Sequence, residues 1–243
     1  MIQATGIGKR FGAHQVLDDI SLTAPNGQVY GLVGYNGAGK TTLLKIIAGV
    51  YRPDAGTVLI DGVDMHADSV SHDSLFIVAD EPFFLSQADP ETMRAFYRGY
   101  YPLWSDEVYE RLLGLFDLDP HAKIAGFSKG MQRQLGILLG FATGVKTMLL
   151  DESFDGLDLS KRNLLKRLLR QYARERDASV VLSSHNLREL EDAVDNLGMI
   201  KGARLVFNGS VAEVHEQYPD ASLEEIFLSE GTGREESIDG IFS

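Results

Sequence analysis

A glycine-rich segment that follows a short apolar run constrains this chain more than any other part of its sequence. The segment reads Gly34-Tyr35-Asn36-Gly37-Ala38-Gly39-Lys40-Thr41, with Thr42 next, and it fits the pattern of a phosphate-binding loop. The run before it, Val29 to Val33, reads as a strand, and a helix signal begins at Thr41. A strand, a glycine-rich turn and a helix in this order form the context that such a loop requires. We therefore predict a strand–loop–helix unit that binds phosphate groups.

Each residue type in this loop suits the phosphates of a nucleotide. Glycines let several backbone N–H groups point inward at phosphate oxygens, and a helix start adds its positive end. Lys40 is placed to reach the β- and γ-phosphates, and the Thr41 hydroxyl can ligate Mg²⁺. The sequence has no Asn-Lys-x-Asp motif for guanine, so we expect ATP rather than GTP. The predicted loop contacts to ATP come from Gly34, Asn36, Gly37, Ala38, Gly39, Lys40, Thr41 and Thr42.

Strand and helix signals alternate over much of the chain. Strand signals cover Val16 to Leu22, Val29 to Val33, Thr57 to Ile60, Thr147 to Leu150 and Ser179 to Ser183. The middle of the chain, about 90–142, reads as helical, and leucines at helical spacing lie between the last two strands. Strands that alternate with helices favour an α/β fold with a mainly parallel sheet and helices on its faces.

Two acidic residues follow the strand that ends at Leu150. Side chains of successive residues on a strand point to opposite sides, so Asp151 and Glu152 can serve different purposes. We expect Asp151 to hold Mg²⁺ through water and Glu152 to orient or deprotonate the water that attacks the γ-phosphate. Taken alone, a strand that ends in Asp-Glu is usually a solvated turn. The phosphate-binding loop upstream favours the catalytic interpretation.

His185 follows the next apolar strand in the same way. The ends of neighbouring parallel strands share the ligand crevice of such sheets, so His185 can contact the γ-phosphate or the attacking water. A single histidine at a strand end is more often an ordinary surface residue. The functional interpretation therefore depends on the motifs around it.

Composition excludes several other classes of protein. The chain has 243 residues, no cysteine and a net charge of −12. Disulfides, thiol catalysis and zinc bound through cysteine are ruled out, and the acidic balance argues against nucleic acid as a partner. The most apolar stretch, Leu135 to Val145, is about half of the ~20 residues that a membrane crossing needs, and the start lacks a signal-peptide pattern. We expect a cytoplasmic chain.

At this point the chain resembles the nucleotide-binding subunit of an ATP-binding-cassette (ABC) transporter. Phe127-Ser128-Lys129-Gly130-Met131 is similar to the family's signature sequence, and Asp151 to Asp158 is similar to its acidic pair and aspartate loop. Arg10-Phe11-Gly12 stands where the family places an aromatic residue that stacks on adenine. The similarity is greatest to ATPase subunits of bacterial exporters whose permease is a separate polypeptide.

The resemblance implies a fold, a set of domains and a partner. It implies a P-loop NTPase with a mainly parallel sheet core, an N-terminal antiparallel β-subdomain and a helical signature subdomain at about 83–142. The ATPase domain would span 1–228, and 229–243 would be a flexible acidic tail. Two such chains, identical or related, would meet head to tail. Ser128 and Gly130 of each would contact the γ-phosphate bound to the other, and Phe11 would stack on adenine.

Several positions depart from the family pattern. Lys129 takes the usual first glycine position of the signature, and Met131 takes the glutamine position. Ser153 replaces the usual proline after the catalytic glutamate. Asp80 stands where many members have glutamine, and we assign it as a further Mg²⁺ ligand. Lys40, Asp151, Glu152 and His185 are retained, so the sequence predicts an active ATPase.

The leading interpretation is a transporter ATPase on the inner face of the cell membrane, coupled to a separate permease and active in export. The alternative is an ATPase that acts as an assembly scaffold, as in iron–sulfur cluster biogenesis. Nine of the 22 aromatic residues lie between positions 83 and 116. Because tyrosine and tryptophan are enriched at interfaces, we expect this segment to dock the permease, with Phe84, Tyr101 and Trp104 as exposed anchors. Some of these aromatic side chains must instead belong to the core.

Overall fold

The computed structural model describes residues 1–67, 73–190, 192–217, 223 and 225. Within these residues the strands are β1 (Ile2–Phe11), β2 (His14–Ala24), β3 (Val29–Val33), β4 (Ala55–Ile60), β5 (Val63–Asp64), β6 (Leu75–Val78), β7 (Thr147–Leu150), β8 (Ser179–Ser184), β9 (Asn196–Lys201) and β10 (Arg204–Ser210). The α-helices are α1 (Lys40–Ile47), α2 (Pro90–Arg98), α3 (Asp106–Phe116), α4 (Lys129–Thr143), α5 (Leu159–Arg176), α6 (Leu187–Leu190) and α7 (Val211–Gln217). A short 3-10 helix covers Ile124–Gly126.

The strands form two sheets. The first has the order β2-β1-β4-β5 and is antiparallel throughout. The second has the order β10-β9-β3-β8-β7-β6, and its strands run parallel except for β10, which pairs antiparallel with β9. This confirms the predicted fold class, a mainly parallel sheet accompanied by an N-terminal antiparallel sheet.

The central strands are continuous apolar runs because helices and the first sheet cover them. All residues of β3, β7 and β8 are buried, as is typical of parallel strands that are covered on both faces. One core cluster packs α4 and α5 against the large sheet, and a second packs α1 against β3 and the antiparallel sheet. The phosphate-binding loop therefore follows a strand whose residues are all buried.

Helices α2, α3 and α4 lie between β6 and β7 in the chain, where the sequence predicted helices. Each begins with a side-chain cap: Asp89, Ser105 and Ser128 accept a hydrogen bond from a backbone N–H three residues on. The predicted helix within residues 135–145 is the second half of α4. The subdomain bounds 83–142 stay a prediction, and the predicted tail 229–243 lies outside the described residues.

The aromatic segment differs from the expectation in which side chains it exposes. Phe84, Tyr101 and Trp104 are partly buried and pack against the main core cluster, so their choice as exposed anchors was wrong. Tyr101 donates a hydrogen bond to the carbonyl of Leu75, and burial raises its pKa to about 12. The indole N–H of Trp104 donates to Asp106. Residue type alone had suggested exposure, whereas tertiary packing buries much of each ring.

Other large side chains of this region do face solvent. The exposed fraction is 76% for Phe83, 66% for Tyr100 and 61% for Leu103. Among the described residues, no helix combines the length and apolar character that a membrane crossing would require.

Candidate active site

The phosphate-binding loop connects the end of β3 to the start of α1. Gly39 precedes α1 with a left-handed backbone, φ +106°, a conformation that side chains other than glycine rarely adopt. A Cβ atom at this position would also lie 2.8 Å from a Leu17 methyl carbon and 2.9 Å from the Val16 carbonyl oxygen. The loop can therefore take its path only because it has a glycine directly before the helix.

Lys40, the first residue of α1, points into the loop. Its side chain is 5% exposed, and its ammonium group donates to the carbonyl of Gly34 at 2.7 Å. The same group forms an ion pair with Glu152 at 2.9 Å. The two residues are 112 positions apart in sequence, yet the fold places the loop lysine against the second acid of the pair, as the catalytic interpretation requires.

The acidic pair is held by the neighbouring strand. Asp151 is buried, and its carboxylate accepts a hydrogen bond from the Ser183 hydroxyl at 2.6 Å. The backbone N–H of Glu152 donates to the same hydroxyl at 3.0 Å. Strands β7 and β8 pair in parallel register, which brings Ser183 beside the acids. The two carboxylates differ in environment, as the alternation of side chains predicted.

Glu152 receives hydrogen bonds on both carboxylate oxygens. Lys40 contacts one oxygen, while the ring Nδ1 of His185 lies 2.9 Å from the other and the His185 backbone N–H donates to it at 3.2 Å. Burial works to raise the pKa of Glu152, but the bonds from Lys40 and His185 outweigh it and the pKa is lowered overall. Glu152 therefore stays ionised, the form in which a carboxylate can accept a proton from water.

A pocket of about 340 Å³ surrounds these groups. It is lined by the loop, by one residue of β2, and by acidic residues and a histidine from the segments that follow β6, β7 and β8: Val16, Asn36, Gly37, Ala38, Gly39, Lys40, Thr41, Thr42, Asp80, Glu152, Asp155 and His185. Lys40, the other loop residues and the start of α1 line one part of it, and residues that carry carboxylates line another. This arrangement suits a polyphosphate together with a divalent cation.

The residues present fit a magnesium ion. The predicted ligands differ in how far their side chains are exposed to the pocket. Thr41 is exposed in the pocket, whereas Asp151 is buried and bonded to Ser183. Asp80 lines the pocket but forms an ion pair with Arg133 at 2.5 Å. Hard oxygen donors of this kind are the ligands that Mg²⁺ prefers.

A second group of possible metal ligands was not predicted. The donor atoms of Glu152, Asp155 and His185 lie within 4.8 Å of one another. Asp155 belongs to the aspartate loop that the sequence had suggested, but it was not named as a site residue. Its position three residues after Glu152, on the same strand-end loop, was the available signal.

The remaining predicted site residues lie outside this pocket lining. Phe11 is 47% exposed at the end of β1 and packs its ring against Tyr51, with centroids 5.7 Å apart. The Ser128 hydroxyl accepts a hydrogen bond from the Met131 N–H at 3.2 Å and begins α4. Gly130 is buried against Gly156, where a Cβ atom would lie 2.4 Å from the carbonyl oxygen. These three residues do not meet Lys40 within one chain.

A parallel sheet that carries a phosphate-binding loop after one strand, and acids at the ends of its neighbours, defines a P-loop nucleotide hydrolase. The family profile of the ABC transporters matches residues 17–155, more than half of the chain. The chain belongs to the ABC transporter family and is an ATP-binding subunit of an ABC transporter, with the ATPase activity of that family.

Several relatives cover most of this chain. ABC transporter ATP-binding protein YtrB from Bacillus subtilis (strain 168) is 30% identical over 219 residues, which are 90% of this chain and 75% of that protein. Sulfate/thiosulfate import ATP-binding protein CysA from Bordetella pertussis (strain Tohama I) is 33% identical over 228 residues, 89% of this chain and 64% of that protein.

Solved structures agree with this assignment. An ATP-binding subunit of an ABC transporter superimposes with a TM-score of 0.84 at 26% identity and covers 95% of this chain and 99% of its own. A dimeric ATP-binding cassette in a post-hydrolysis state with ADP and Pi superimposes with a TM-score of 0.76 at 19% identity, covering 87% and 99%. The second likeness shows the fold.

The close approach at Gly39 can be tested against a second glycine of the same loop. Gly37 has φ +82°, but a Cβ atom there would have no neighbour within 4 Å. Gly37→Ala should lower the free energy of unfolding by roughly 1–2 kcal/mol, the cost of a left-handed backbone. Gly39→Ala should cost about 1–3 kcal/mol more, because its methyl group displaces Val16 and Leu17. Urea unfolding measures both variants; equal losses would show that crowding plays no part.

The charge network predicts the direction in which the pKa of Glu152 changes when Lys40 is neutralised. Lys40→Met removes a hydrogen bond and a positive charge but leaves the burial that raises the pKa. The pKa of Glu152 should therefore rise, so that the carboxylate takes up its proton at a higher pH than in the wild type. Carboxyl ¹³C NMR titration measures this. Lys45→Met is the matched control, since Lys45 lies over the Tyr51 ring on the same helix; a shift in the control, or none in Lys40→Met, contradicts the assignment.

Proposed function

We propose that this chain hydrolyses ATP to drive export through a separate transmembrane permease. The observation that carries the proposal is the contact of 2.9 Å between Lys40 of the loop and Glu152, which joins the phosphate-binding and catalytic parts in one pocket. Lys40 then binds the β- and γ-phosphates, and Glu152 orients and deprotonates the attacking water, with His185 holding its second oxygen.

The bound nucleotide changes the partner of Lys40. Because the ammonium group of Lys40 has a finite number of donors, phosphate oxygens compete with Glu152 for it. Phosphate binding therefore frees one oxygen of Glu152 to accept a hydrogen bond from water. Thr41, Asp80 and, through water, Asp151 are the residues that would hold Mg²⁺, which would neutralise negative charge on the phosphates.

The working unit is proposed to be a head-to-tail dimer of this chain or of this chain with a related ATPase. Ser128 and Gly130 lie outside the pocket that their own chain's loop lines. The start of α4 offers a hydroxyl, backbone N–H groups and the positive end of a 15-residue helix, which suit an anion. In the proposed dimer that anion is the γ-phosphate on the other copy, and Phe11 stacks on adenine.

The direction of transport has a second candidate. Export is proposed from the resemblance to exporter ATPases with a separate permease. Import is favoured by the relative CysA, which is named for sulfate and thiosulfate import. Co-purification of the permease and transport assays in vesicles of defined orientation separate the two: ATP-driven loss of substrate from the cytoplasmic side supports export, and gain on that side supports import. The scaffold alternative gains no support from the relatives.

Hydrolysis and dimer formation can be tested together with Glu152→Gln. The amide keeps the shape of the side chain but cannot accept the proton of water, so hydrolysis should fall by about 100-fold or more while ATP stays bound. The variant should then accumulate as an ATP-dependent dimer in size-exclusion chromatography. Lys40→Ala, which loses the cation on the phosphates, is the control and should remain a monomer. A monomeric Glu152→Gln chain with nucleotide bound would refute the sandwich.

The permease is proposed to dock on the aromatic-rich segment 83–116 at the inner face of the membrane. The exposed side chains Phe83, Tyr100 and Leu103 replace Phe84, Tyr101 and Trp104, which were predicted to be exposed but are partly buried. Each lies in the chain between Asp80, a proposed Mg²⁺ ligand, and Ser128, a proposed phosphate contact, so the segment that binds the partner is connected to the proposed site at both ends. Exposed apolar groups of this size form the centre of many protein interfaces.

Serine substitutions of Phe83, Tyr100 and Leu103 test this surface. An interface anchor typically contributes about 2 kcal/mol, so loss of one should weaken membrane association about 30-fold. Sedimentation with membranes that contain the co-expressed permease measures the effect, and ATP binding should be unchanged. Leu159→Ser is the matched control, because Leu159 is 75% exposed but begins α5. If the control and the three variants release the chain equally, the surface is wrongly placed.

A further inference from the structure

Arg133 joins α4 to two loops of the nucleotide pocket. Its side chain is only about one-tenth exposed although it carries a charge. One terminal nitrogen donates to the carbonyl oxygen of Asp155 at 2.7 Å. The other donates to both the carbonyl oxygen of Asp80 at 2.7 Å and its carboxylate at 2.5 Å. A guanidinium group with a rigid fork of donors is suited to hold separate segments in fixed relation.

Both loops to which Arg133 is hydrogen-bonded contribute residues to the pocket. Asp80 follows β6 and Asp155 follows β7, and these strands are parallel neighbours. The carboxylates of both residues line the same pocket as Lys40 and Thr41. Arg133 itself does not line it. A residue of α4 thus determines where two pocket loops lie without facing the nucleotide.

The carboxylate of Asp80 faces two competing demands. A cation in the pocket would bind its oxygens, but one of these oxygens already lies 2.5 Å from a terminal nitrogen of Arg133. The side chain of Asp80 is 54% exposed, so its carboxylate has room to rotate toward the pocket.

We propose that Arg133 is a positioning residue that competes with Mg²⁺ for Asp80. Engagement of Asp80 by the metal of bound Mg-ATP opens the Asp80–Arg133 ion pair, while the bonds from Arg133 to the carbonyls of Asp80 and Asp155 keep α4 attached to both loops. The inference rests on the proposed ATP site.

The competition predicts how strongly Mg²⁺ assists nucleotide binding. The ratio of mant-ATP affinity with Mg²⁺ to that with EDTA, measured by fluorescence, should be about fivefold larger in Arg133→Gln than in wild type, the effect of one partly exposed ion pair. In the Asp80→Asn background, Arg133→Gln should leave the ratio unchanged. Arg133→Lys keeps the charge but loses the fork, and its ratio should fall between those of wild type and Arg133→Gln.

A matched control separates this competition from a general effect on packing. Arg162 also combines a backbone carbonyl, that of Leu157 at 2.8 Å, with a carboxylate, that of Glu189 at 2.6 Å, but Glu189, unlike Asp80, does not line the pocket. Arg162→Gln should leave the Mg²⁺ ratio as in wild type.

The outcomes are distinct. An unchanged ratio in Arg133→Gln, or an equal change with and without the Asp80 carboxylate, overturns the inference. If Arg133→Gln does not fold, the Arg133→Lys variant is sufficient for the test. An affinity ratio in Arg133→Lys equal to that of wild type then overturns the inference. Absence of mant-ATP binding by the wild-type chain would instead overturn the proposed function.

Discussion

The parallel register of β3, β8 and β7 is the constraint on which the rest of the site depends. Val33 pairs with Ser184, and Leu150 pairs with Leu182, so the three strands end at one edge of the sheet. The phosphate-binding loop, the acidic pair and His185 each follow one of these strands directly. Residues separated by more than a hundred positions therefore lie within hydrogen-bonding distance, because the register of the strands places them side by side.

The charged side chains of the loop lysine and the acidic pair have hydrogen-bonding partners within the chain. Lys40 is too deeply buried to remain unpaired, and Glu152 supplies its countercharge. Glu152 is also hydrogen-bonded to His185, and Asp151 to Ser183, so Lys40 and both acids of the pair have a defined partner. A polyphosphate with its metal would bring both anionic and cationic groups, which would compete for these internal contacts. The site is thus organised before its ligand arrives, which limits the rearrangement that binding requires.

Sequence reasoning predicted the parts of this site that are encoded locally. The loop, Asp151, Glu152 and His185 each follow a recognisable apolar strand, so both their identity and their shared edge could be predicted. The ion pair of Asp80 with Arg133 could not be, because the two residues are 53 positions apart and join a loop to a helix. Nor could the burial of Tyr101 and Trp104, since their composition is equally typical of an interface and of a core. Contacts between elements, rather than patterns within them, decided these cases.

Ser153 stands where the family usually has proline, and the backbone conformation of Glu152 explains how serine suits this position. Glu152 has φ +46°, a left-handed conformation that costs a residue with a side chain roughly 1–2 kcal/mol. A proline at position 153 would push Glu152 toward an extended backbone. Serine leaves the left-handed conformation open, and in that conformation the carboxylate of Glu152 reaches Lys40 on one oxygen and His185 on the other. The hydrogen bonds of the site offset the local strain, so the serine at 153 and the geometry of Glu152 are parts of one arrangement.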